Sequence, residues 1–328
     1  MATHRIDSLV APLLVSWQIT RDCDLCCVHC CTESAPGKKL HDELDVATAM
    51  RVAREIVRSE VPYVMLCGGE PLIVPHFFEL AEALGSAGIQ LKIETNGQRF
   101  DAQTAERLAR LPVRSVQVSL DGDTPEVYSR QRVGGSLEKA HAACRAVHAA
   151  GLPLEITFAP TRINIHEAQA VIDRAAALGA FRFNTGKLMR IGTAARLWNR
   201  LEPDRDQYRQ FLGVLRQNEL PSGNRRMQLC YEPFSMVEGL RGCLAEPPAT
   251  LLVLPDGGVK IAAALPHRCA DLRHDTLADA WKAYCSAWRS DEIMDAVRAA
   301  IADDSSHARA NSWRPMDALP LTDLLEIQ

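Results

Sequence analysis

The 328-residue sequence has no excess of positive charge and no long apolar run. Its net charge is −4 and its isoelectric point is near 6.2, so it lacks the basic face that non-specific nucleic-acid binding requires. It contains no run of 18 apolar residues, the length that a membrane-spanning helix needs. The first 20 residues carry one Arg and no small-residue cleavage pattern, so they do not resemble a signal peptide. We therefore expect a cytoplasmic protein that binds neither nucleic acid nor membrane.

Cysteine, by contrast, is plentiful: the chain has 11, and five of them lie within nine residues, 23–31 (CDLCCVHCC). In the cytoplasm these thiols should be reduced or metal-bound rather than paired. A structural zinc site separates two Cys-x2-Cys pairs by a dozen or more residues, whereas here Cys23-x2-Cys26 directly abuts Cys27-x2-Cys30. A redox pair of Cys27 and Cys30 would leave the other three thiols without a role, and five inert core thiols do not suit so polar a loop.

One subset of these cysteines, Cys23-x3-Cys27-x2-Cys30, places three thiolates on a single compact loop. Three thiolates can ligate three irons of a [4Fe–4S] cube and leave the fourth iron open to a further ligand. Cys26 and Cys31 are bystanders in this interpretation. The spacing favours an iron–sulfur site, with zinc and a redox pair as the alternatives.

Apolar runs alternate with amphipathic stretches over the first 190 residues. Strands are predicted at 14–19, 62–67, 89–95, 113–120, 152–159 and 181–186, and helices at 43–59, 76–88, 102–111, 136–151 and 165–179. Three of these helices end in glycine, at Gly88, Gly151 and Gly179, which is a common C-cap. Six strand-then-helix units imply an α/β fold with a parallel sheet, which right-handed crossovers curl toward a full or partial barrel.

Four motifs stand at the ends of successive predicted strands. They are CDLCCVHC (23–30), CGGEPL (67–72), ETNG (94–97) and VSLDG (118–122). Their order is similar to that of the radical S-adenosylmethionine (radical SAM) superfamily, whose cysteine signature commonly has an aromatic or His residue before its third cysteine, as His29 is here. The resemblance covers roughly residues 14–190. It implies a partial (β/α)6 TIM-like barrel, a [4Fe–4S] cluster on Cys23, Cys27 and Cys30, and S-adenosylmethionine (SAM) as cosubstrate.

The same resemblance gives roles to individual residues. It assigns Gly68, Gly69, Glu70 and Pro71 to the methionine ammonium of SAM, Ser119 to its ribose or carboxylate region, and Thr95 and Asn96 to the mouth of the site. Asp121, at the end of the same strand as Ser119, is a further predicted cofactor-binding residue. Arg132 is the predicted partner of the methionine carboxylate, which a guanidinium binds bidentately, and Arg130 is its alternative. Flavodoxin or ferredoxin is implied as the external reductant.

The regular alternation weakens after residue 200. The pattern predicts a helix at 203–218, a linker at 220–226, a hairpin at 249–266 around a Pro-Asp-Gly-Gly turn, and a helix at 275–288 with Asp275 and Thr276 near its cap. Residues 229–285 resemble the SPASM/twitch extension of radical SAM maturases, which implies auxiliary iron–sulfur clusters.

This extension is poor in cysteine. Ala262 and Ala263 stand where a cysteine usually follows the hairpin, and the final Cys-x2-Cys cluster is absent. Two interpretations stay open: a second cluster on Cys230, Cys243 and Cys269, or a module that keeps its shape without metal.

We therefore expect three parts: a radical SAM core (1–220), a small α+β SPASM/twitch-like module (221–290) and a C-terminal tail (291–328). The predicted enzyme cleaves SAM reductively to a 5′-deoxyadenosyl radical, which abstracts hydrogen from a small biosynthetic intermediate. Decarboxylation, dehydrogenation, epimerisation or carbon–carbon bond formation could follow. No winged-helix peptide-binding segment precedes strand one, which favours a small molecule over the alternative, a ribosomally made peptide. A non-catalytic iron–sulfur or zinc protein is the further alternative.

Overall fold

The structure is a computed structural model that describes residues 5–219 and 227–316. The predicted linker at 220–226, with the border between the first two predicted parts, lies outside the described residues, as does the end of the predicted tail after residue 316. Within the described ranges, no helix combines the length and the apolar character needed to cross a membrane.

Thirteen strands and twelve α-helices are present in the described residues. The strands are β1 (Leu14–Gln18), β2 (Cys26–Cys27), β3 (Tyr63–Cys67), β4 (Gln90–Thr95), β5 (Val113–Ser119), β6 (Arg132–Val133), β7 (Leu154–Phe158), β8 (Arg182–Gly186), β9 (Gln228–Glu232), β10 (Thr250–Val253), β11 (Gly258–Lys260), β12 (His267–Asp271) and β13 (Arg314–Pro315). The helices are α1 (Val46–Arg58), α2 (Phe77–Ser86), α3 (Ala102–Leu108), α4 (Pro125–Gln131), α5 (Leu137–Ala149), α6 (Ala168–Ala177), α7 (Gly192–Arg196), α8 (Trp198–Leu201), α9 (Arg205–Glu219), α10 (Met236–Ala245), α11 (Leu277–Ala287) and α12 (Asp291–Ala302). Short 3-10 turns occupy Arg5–Ser8, Pro71–Ile73, Ile165–Glu167 and Asp304–Arg309.

The six predicted strands form the centre of one large sheet. Its order is β13-β12-β11-β10-β1-β3-β4-β5-β7-β8-β9, and β1, β3, β4, β5, β7 and β8 are all parallel to their neighbours in this run. The predicted α/β class with a parallel sheet is confirmed. In the described part of the chain β13 and β9 remain as sheet edges, so the sheet does not close into a complete barrel.

Helix positions follow from capping and apolar spacing. In α1 the Asp45 side chain accepts a hydrogen bond from the Thr48 amide at 2.8 Å, which satisfies an otherwise unpaired helix-start donor. Its buried residues, Ala49, Val52, Ala53 and Ile56, recur every three or four positions and so pack one face on the sheet. The predicted glycine caps have the left-handed φ angles that glycine tolerates, for example +84° at Gly179.

The region after residue 227 joins the same sheet. The predicted hairpin is present as antiparallel β10 and β11, and β10 pairs in parallel with β1 on the side opposite β3. Thr276 caps α11 as predicted, since its hydroxyl accepts from the Asp279 amide at 3.1 Å. The first part of the predicted tail also packs on the body: β13 pairs with β12, and Asn311 donates a hydrogen bond to the Cys31 carbonyl at 2.8 Å.

A second, two-stranded sheet holds the cysteine loop. β2 pairs antiparallel with β6, which sets Cys26 opposite Val133 and Cys27 opposite Arg132. The Val28 amide extends this pairing by donating to the Gln131 carbonyl at 3.1 Å. The middle of the cysteine loop is therefore fixed against the segment that follows α4.

Candidate active site

A cavity of about 1050 Å³ opens at the carboxyl ends of the parallel strands. This is the end of an α/β sheet where ligands bind, because the loops that follow the strands converge there. The side chains of all three predicted cluster ligands, Cys23, Cys27 and Cys30, line this cavity. The three residues that the cysteine spacing singles out are thus brought to one place.

Each of these three sulfurs accepts a hydrogen bond. The Asn96 amide group donates to Cys23 Sγ at 3.7 Å, Arg132 Nη1 donates to Cys27 Sγ at 3.7 Å, and the Ser34 amide donates to Cys30 Sγ at 3.3 Å. Donors of this kind stabilise thiolate sulfur and tune the cluster that thiolates hold. The residues present therefore fit an iron–sulfur cluster.

Burial sets the protonation of two of these thiols. Burial raises the pKa of Cys23 to about 12, and burial, partly offset by Arg132, raises the pKa of Cys27 to about 11. Without a metal both groups are therefore neutral thiols near pH 7, and cluster binding must release their protons. Across the described ranges, no three His, Cys, Asp or Glu side chains are close enough to hold one metal ion; in a cube, by contrast, each iron takes a single protein sulfur.

The other two cysteines of the loop differ from each other. Cys26 is exposed and does not line the cavity, as expected of a bystander. Cys31, also predicted to be a bystander, lines the cavity together with Cys67. Burial raises the pKa of Cys31 to about 12. Neither Cys31 nor Cys67 has an assigned role in the cysteine signature.

Gly68 and Gly69 both line the cavity, and the structure gives a packing reason for them. A Cβ on Gly69 would lie 1.8 Å from the Asp22 carbonyl oxygen, and one on Gly68 would lie 2.4 Å from that of Thr20. The Gly69 amide donates to the Thr20 carbonyl at 2.8 Å. The two glycines thus let the end of β3 pack directly on the backbone that leads into the cysteine loop.

We expect Gly69→Ala to lower the free energy of unfolding by about 3 kcal/mol, because the clash is with backbone that cannot rotate away. Gly213→Ala in α9 is the control: its Cβ meets nothing within 4 Å, so it should be neutral or stabilising by up to about 1 kcal/mol. Urea unfolding of both variants measures this. Equal stabilities would contradict the packing role of Gly69.

Glu70 and Pro71 lie behind this turn and do not line the cavity. The buried Glu70 carboxylate accepts hydrogen bonds from the Thr95 hydroxyl and from the backbone amide of Asn96, each at 2.8 Å. Burial raises the pKa of Glu70 to about 7. Thr95 and Asn96 do line the cavity. In this structure Glu70 therefore connects β3 to β4, and its predicted contact with the methionine ammonium stays a prediction.

Asp121 and Arg132 form a buried ion pair beside Cys27. Arg132 Nε and His29 Nε2 approach the same oxygen, Asp121 Oδ2, at 2.6 and 3.1 Å. Burial opposes the ionisation of Asp121, but Arg132 and His29 outweigh it and bring the pKa down to about 2. Arg132 and Ser119 line the cavity; Asp121 does not, and Arg130 is exposed on α4.

His29 leaves one polar atom without a partner. Its Nδ1 is buried and makes no hydrogen bond within the described part of the chain, while the residue itself lines the cavity. A buried polar atom without a partner is costly, so this atom is a natural contact for a bound group.

The three cysteines of the predicted auxiliary cluster lie on three different elements of the C-terminal region. Cys243, on α10, lines the cavity, whereas Cys230 lies on β9 and Cys269 on β12, near opposite edges of the sheet. Tyr284 interacts electrostatically with Cys243, Cys269 and Cys285. An auxiliary cluster on Cys230, Cys243 and Cys269 stays a prediction.

Sequence reasoning missed a polar layer on the cavity floor. Glu94, Gln117 and Asn184 line the cavity from β4, β5 and β8, and none belongs to the predicted set. For Glu94 a sequence signal exists: in the run IQLKIET, Lys92 and Glu94 interrupt apolar residues at a period of two, which places both on one face of the strand.

Comparison with known proteins agrees with this geometry. The sequence profile of the radical SAM superfamily matches residues 17–175. The mycofactocin maturase MftC of Mycobacterium tuberculosis is 34% identical over 200 residues, 61% of this chain and 50% of MftC. The AdoMet-dependent heme synthase of Methanosarcina barkeri is 31% identical over 186 residues (56% and 52%), and the PqqA peptide cyclase of Ruegeria pomeroyi is 28% identical over 282 residues (83% and 74%).

Solved structures show the same fold. The crystal structure of Streptococcus suis SuiB bound to its precursor peptide SuiA superimposes with a TM-score of 0.68 at 15% identity, covering 88% of this chain and 67% of SuiB. A SuiB structure with bound S-adenosylmethionine gives a TM-score of 0.64 at 16% identity, covering 83% and 66%. This chain spans about half the length of the first curated relatives that it matches. Residues 17–175 therefore form a radical SAM domain, and the enzymes of this superfamily use a [4Fe–4S] cluster and S-adenosylmethionine.

Proposed function

We propose that this protein is a radical SAM maturase that modifies a ribosomally made peptide, with its catalytic cluster on Cys23, Cys27 and Cys30. The observation that carries the proposal is the convergence of these three sulfurs on one cavity beside the Gly68–Gly69 turn. When bound, the cluster supplies the electron that splits SAM into methionine and a 5′-deoxyadenosyl radical, which takes a hydrogen atom from the substrate.

The residues around the cavity bind and orient in this proposal. Thr95, Asn96 and Ser119 offer hydroxyl and amide groups to the polar parts of SAM. The Arg132 guanidinium, fixed in position by Asp121, faces the methionine carboxylate and also donates to Cys27. Holding the cosubstrate at several points leaves one of its bonds aligned for cleavage.

Relatives support a peptide substrate better than the small molecule that the sequence favours. The similarity to a PqqA peptide cyclase covers 83% of this chain. SuiB has the same fold as this chain, and its structure has been solved with a bound precursor peptide. The similarity to a heme synthase is the observation that keeps a small molecule as the second candidate.

The remaining parts of the proposal concern organisation and surroundings. Residues 221–290 serve as the SPASM/twitch-like module and 291–328 as a tail, and α10 of the module contributes Cys243 to the cavity wall. A flavodoxin or ferredoxin supplies electrons. A cytoplasmic location accords with 11 free cysteines, and the net charge of −4 gives no support for nucleic-acid binding.

The test is anaerobic reconstitution with iron and sulfide, followed by dithionite, SAM and short peptides encoded beside the gene. We expect 5′-deoxyadenosine to be released and one peptide to change in mass. Absence of 5′-deoxyadenosine from a protein that holds its iron would contradict the radical SAM activity. Release that depends on a small molecule, with every peptide unchanged, would favour the second candidate.

A further inference from the structure

The floor of the cavity is an ordered layer of polar side chains on neighbouring strands. Glu94, Gln117 and Glu155 are register partners across β4, β5 and β7. Lys92 lies two residues before Glu94 on the same face of β4, and Asn184 contributes from β8. So many polar groups on the inner face of a sheet are costly unless they are paired or serve a ligand.

The hydrogen bonds fix which atoms face which way. Gln117 Oε1 accepts from Lys92 Nζ at 2.9 Å and from Asn184 Nδ2 at 3.0 Å, so its Nε2 is the atom that donates to Glu94 Oε1 at 2.9 Å. Asn184 Nδ2 also donates to Glu155 Oε2 at 2.7 Å. The groups left to face a ligand, Asn184 Oδ1 and Glu94 Oε2, are acceptors.

Among the charged groups of this layer, the Glu94 carboxylate has the weakest ion pairing. Lys92 Nζ lies 3.0 Å from Glu155 but 3.9 Å from Glu94, so the lysine mainly neutralises Glu155. Burial raises the pKa of Glu94, which means that its carboxylate loses solvation without a full replacement. Its side chain is 32% exposed and lines the cavity. A cation placed there would make up this deficit.

The charged residues around the whole cavity also favour a cationic ligand. The lining carboxylates are Glu94, Glu232, Glu238 and Glu246, and the lining cations are Arg132 and Lys187. Arg132 pairs at 2.6 Å with Asp121, which does not line the cavity, and Lys187 lies 3.4 Å from Glu238, so both lining cations are engaged and the Glu238 carboxylate is engaged with one of them. A wall with this excess of carboxylates favours a cationic guest over an anionic one.

We propose that Glu94, oriented through Gln117, binds a basic group of the substrate, an ammonium or a guanidinium, on the cavity floor. This inference rests on the proposed function, and it names the chemistry of the substrate residue that enters the site. Glu94 acts here as a specificity-determining residue: it selects a substrate that carries a positive charge close to the reacting carbon.

The experiment titrates small probes into the reconstituted holoenzyme with SAM and without reductant, at pH 8. The probes are n-butylammonium and n-butylguanidinium, with 1-pentanol as the neutral control and pentanoate as the anionic control. We expect the wild type to bind the two cations at least about tenfold more tightly than the alcohol, and pentanoate not to bind, because an ionic hydrogen bond is worth about one order of magnitude or more.

Two variants complete the test. Glu94→Gln keeps the shape and removes the charge, and it should weaken cation binding about tenfold. The control is Glu126→Gln, because Glu126 is an exposed residue on α4 and does not line the cavity. This variant should leave cation binding unchanged. If the wild type binds 1-pentanol as tightly as the cations, the inference is overturned, whether or not the Glu94→Gln variant folds. If a folded Glu94→Gln variant binds the cations as tightly as the wild type does, the inference is also overturned.

The failure of this inference differs from the failure of the proposed function. A wild type that releases 5′-deoxyadenosine on reduction but shows no preference for cations contradicts the role of Glu94 alone. A wild type that prefers cations but releases no 5′-deoxyadenosine contradicts the radical SAM activity and leaves the basic-group site in place.

Discussion

Replacing Cys23, Cys27 and Cys30 together by alanine should remove the iron from this protein and abolish the cleavage of SAM. Their three sulfurs line one cavity, and each accepts a hydrogen bond from a neighbouring donor. After anaerobic reconstitution we expect the wild type to hold about four irons per chain and the triple variant almost none. Iron analysis measures the first effect, and 5′-deoxyadenosine released after reduction measures the second.

Cys26→Ala is the matched control, since Cys26 belongs to the same loop but is exposed and off the cavity. It should keep both iron and SAM cleavage. Full iron content in the triple variant would contradict the assignment of the cluster to this loop. About half of the iron remaining would instead reveal a second cluster, and its loss on adding Cys243→Ala would assign that cluster to the C-terminal cysteines.

Replacing Arg132 by methionine should be strongly destabilising. Asp121 is fully buried, and its carboxylate would lose the guanidinium that lies 2.6 Å away. Removing one partner of a buried ion pair costs about 3–5 kcal/mol. We expect the lower end of this range, because His29 Nε2 and the Ala159 amide would still contact the Asp121 carboxylate. Urea unfolding at pH 7 measures the loss, and weaker SAM binding by the folded fraction should accompany it.

The pH dependence of this effect has a defined sign. The pKa of Asp121 is about 2 in the folded protein, against about 3.9 for an aspartate in an unfolded chain. The stability that ionised Asp121 contributes is therefore complete above about pH 4 and is lost as the pH falls toward 2. The difference between the wild type and Arg132→Met should shrink over the same range.

Arg130→Met is the control for this prediction, because Arg130 is two residues away on the exposed side of α4. We expect it to change the free energy of unfolding by less than about 0.5 kcal/mol. Equal stability losses in the Arg130 and Arg132 variants would refute the structural role of the buried pair.

Local signals in the sequence were sufficient for the central sheet and for the cluster loop. The six apolar runs and the glycines that end the helices depend on neighbours within a few residues, so both appear in the sequence as short patterns. The cysteine spacing is equally local, and it predicts the three sulfurs that the structure brings to one cavity.

Features that depend on distant pairing were not accessible in this way. The role of Glu70 between β3 and β4 requires Thr95 and Asn96, which lie 25 and 26 positions further along the chain. The pairing of β10 with β1 joins residues more than 230 positions apart. No short-range pattern encodes such contacts, since they arise only when the sheet has assembled.

The polar layer was missed for a related reason. The alternation in β4 marks the strand face that carries Glu94, but only the register of β4 with β5 sets Gln117 beside it. The direction in which Gln117 donates depends further on Lys92 and Asn184, on two different strands. A binding surface built from single residues of several strands thus becomes visible only in three dimensions.

The most direct test of the account is whether SAM binds the iron that Cys23, Cys27 and Cys30 leave open. Electron–nuclear double resonance of the reduced, reconstituted protein with SAM labelled by ¹⁵N at the amino group and ¹⁷O at the carboxylate answers this question. We predict hyperfine couplings from both labels to the cluster. A cluster whose spectrum shows neither coupling at saturating SAM would contradict the account.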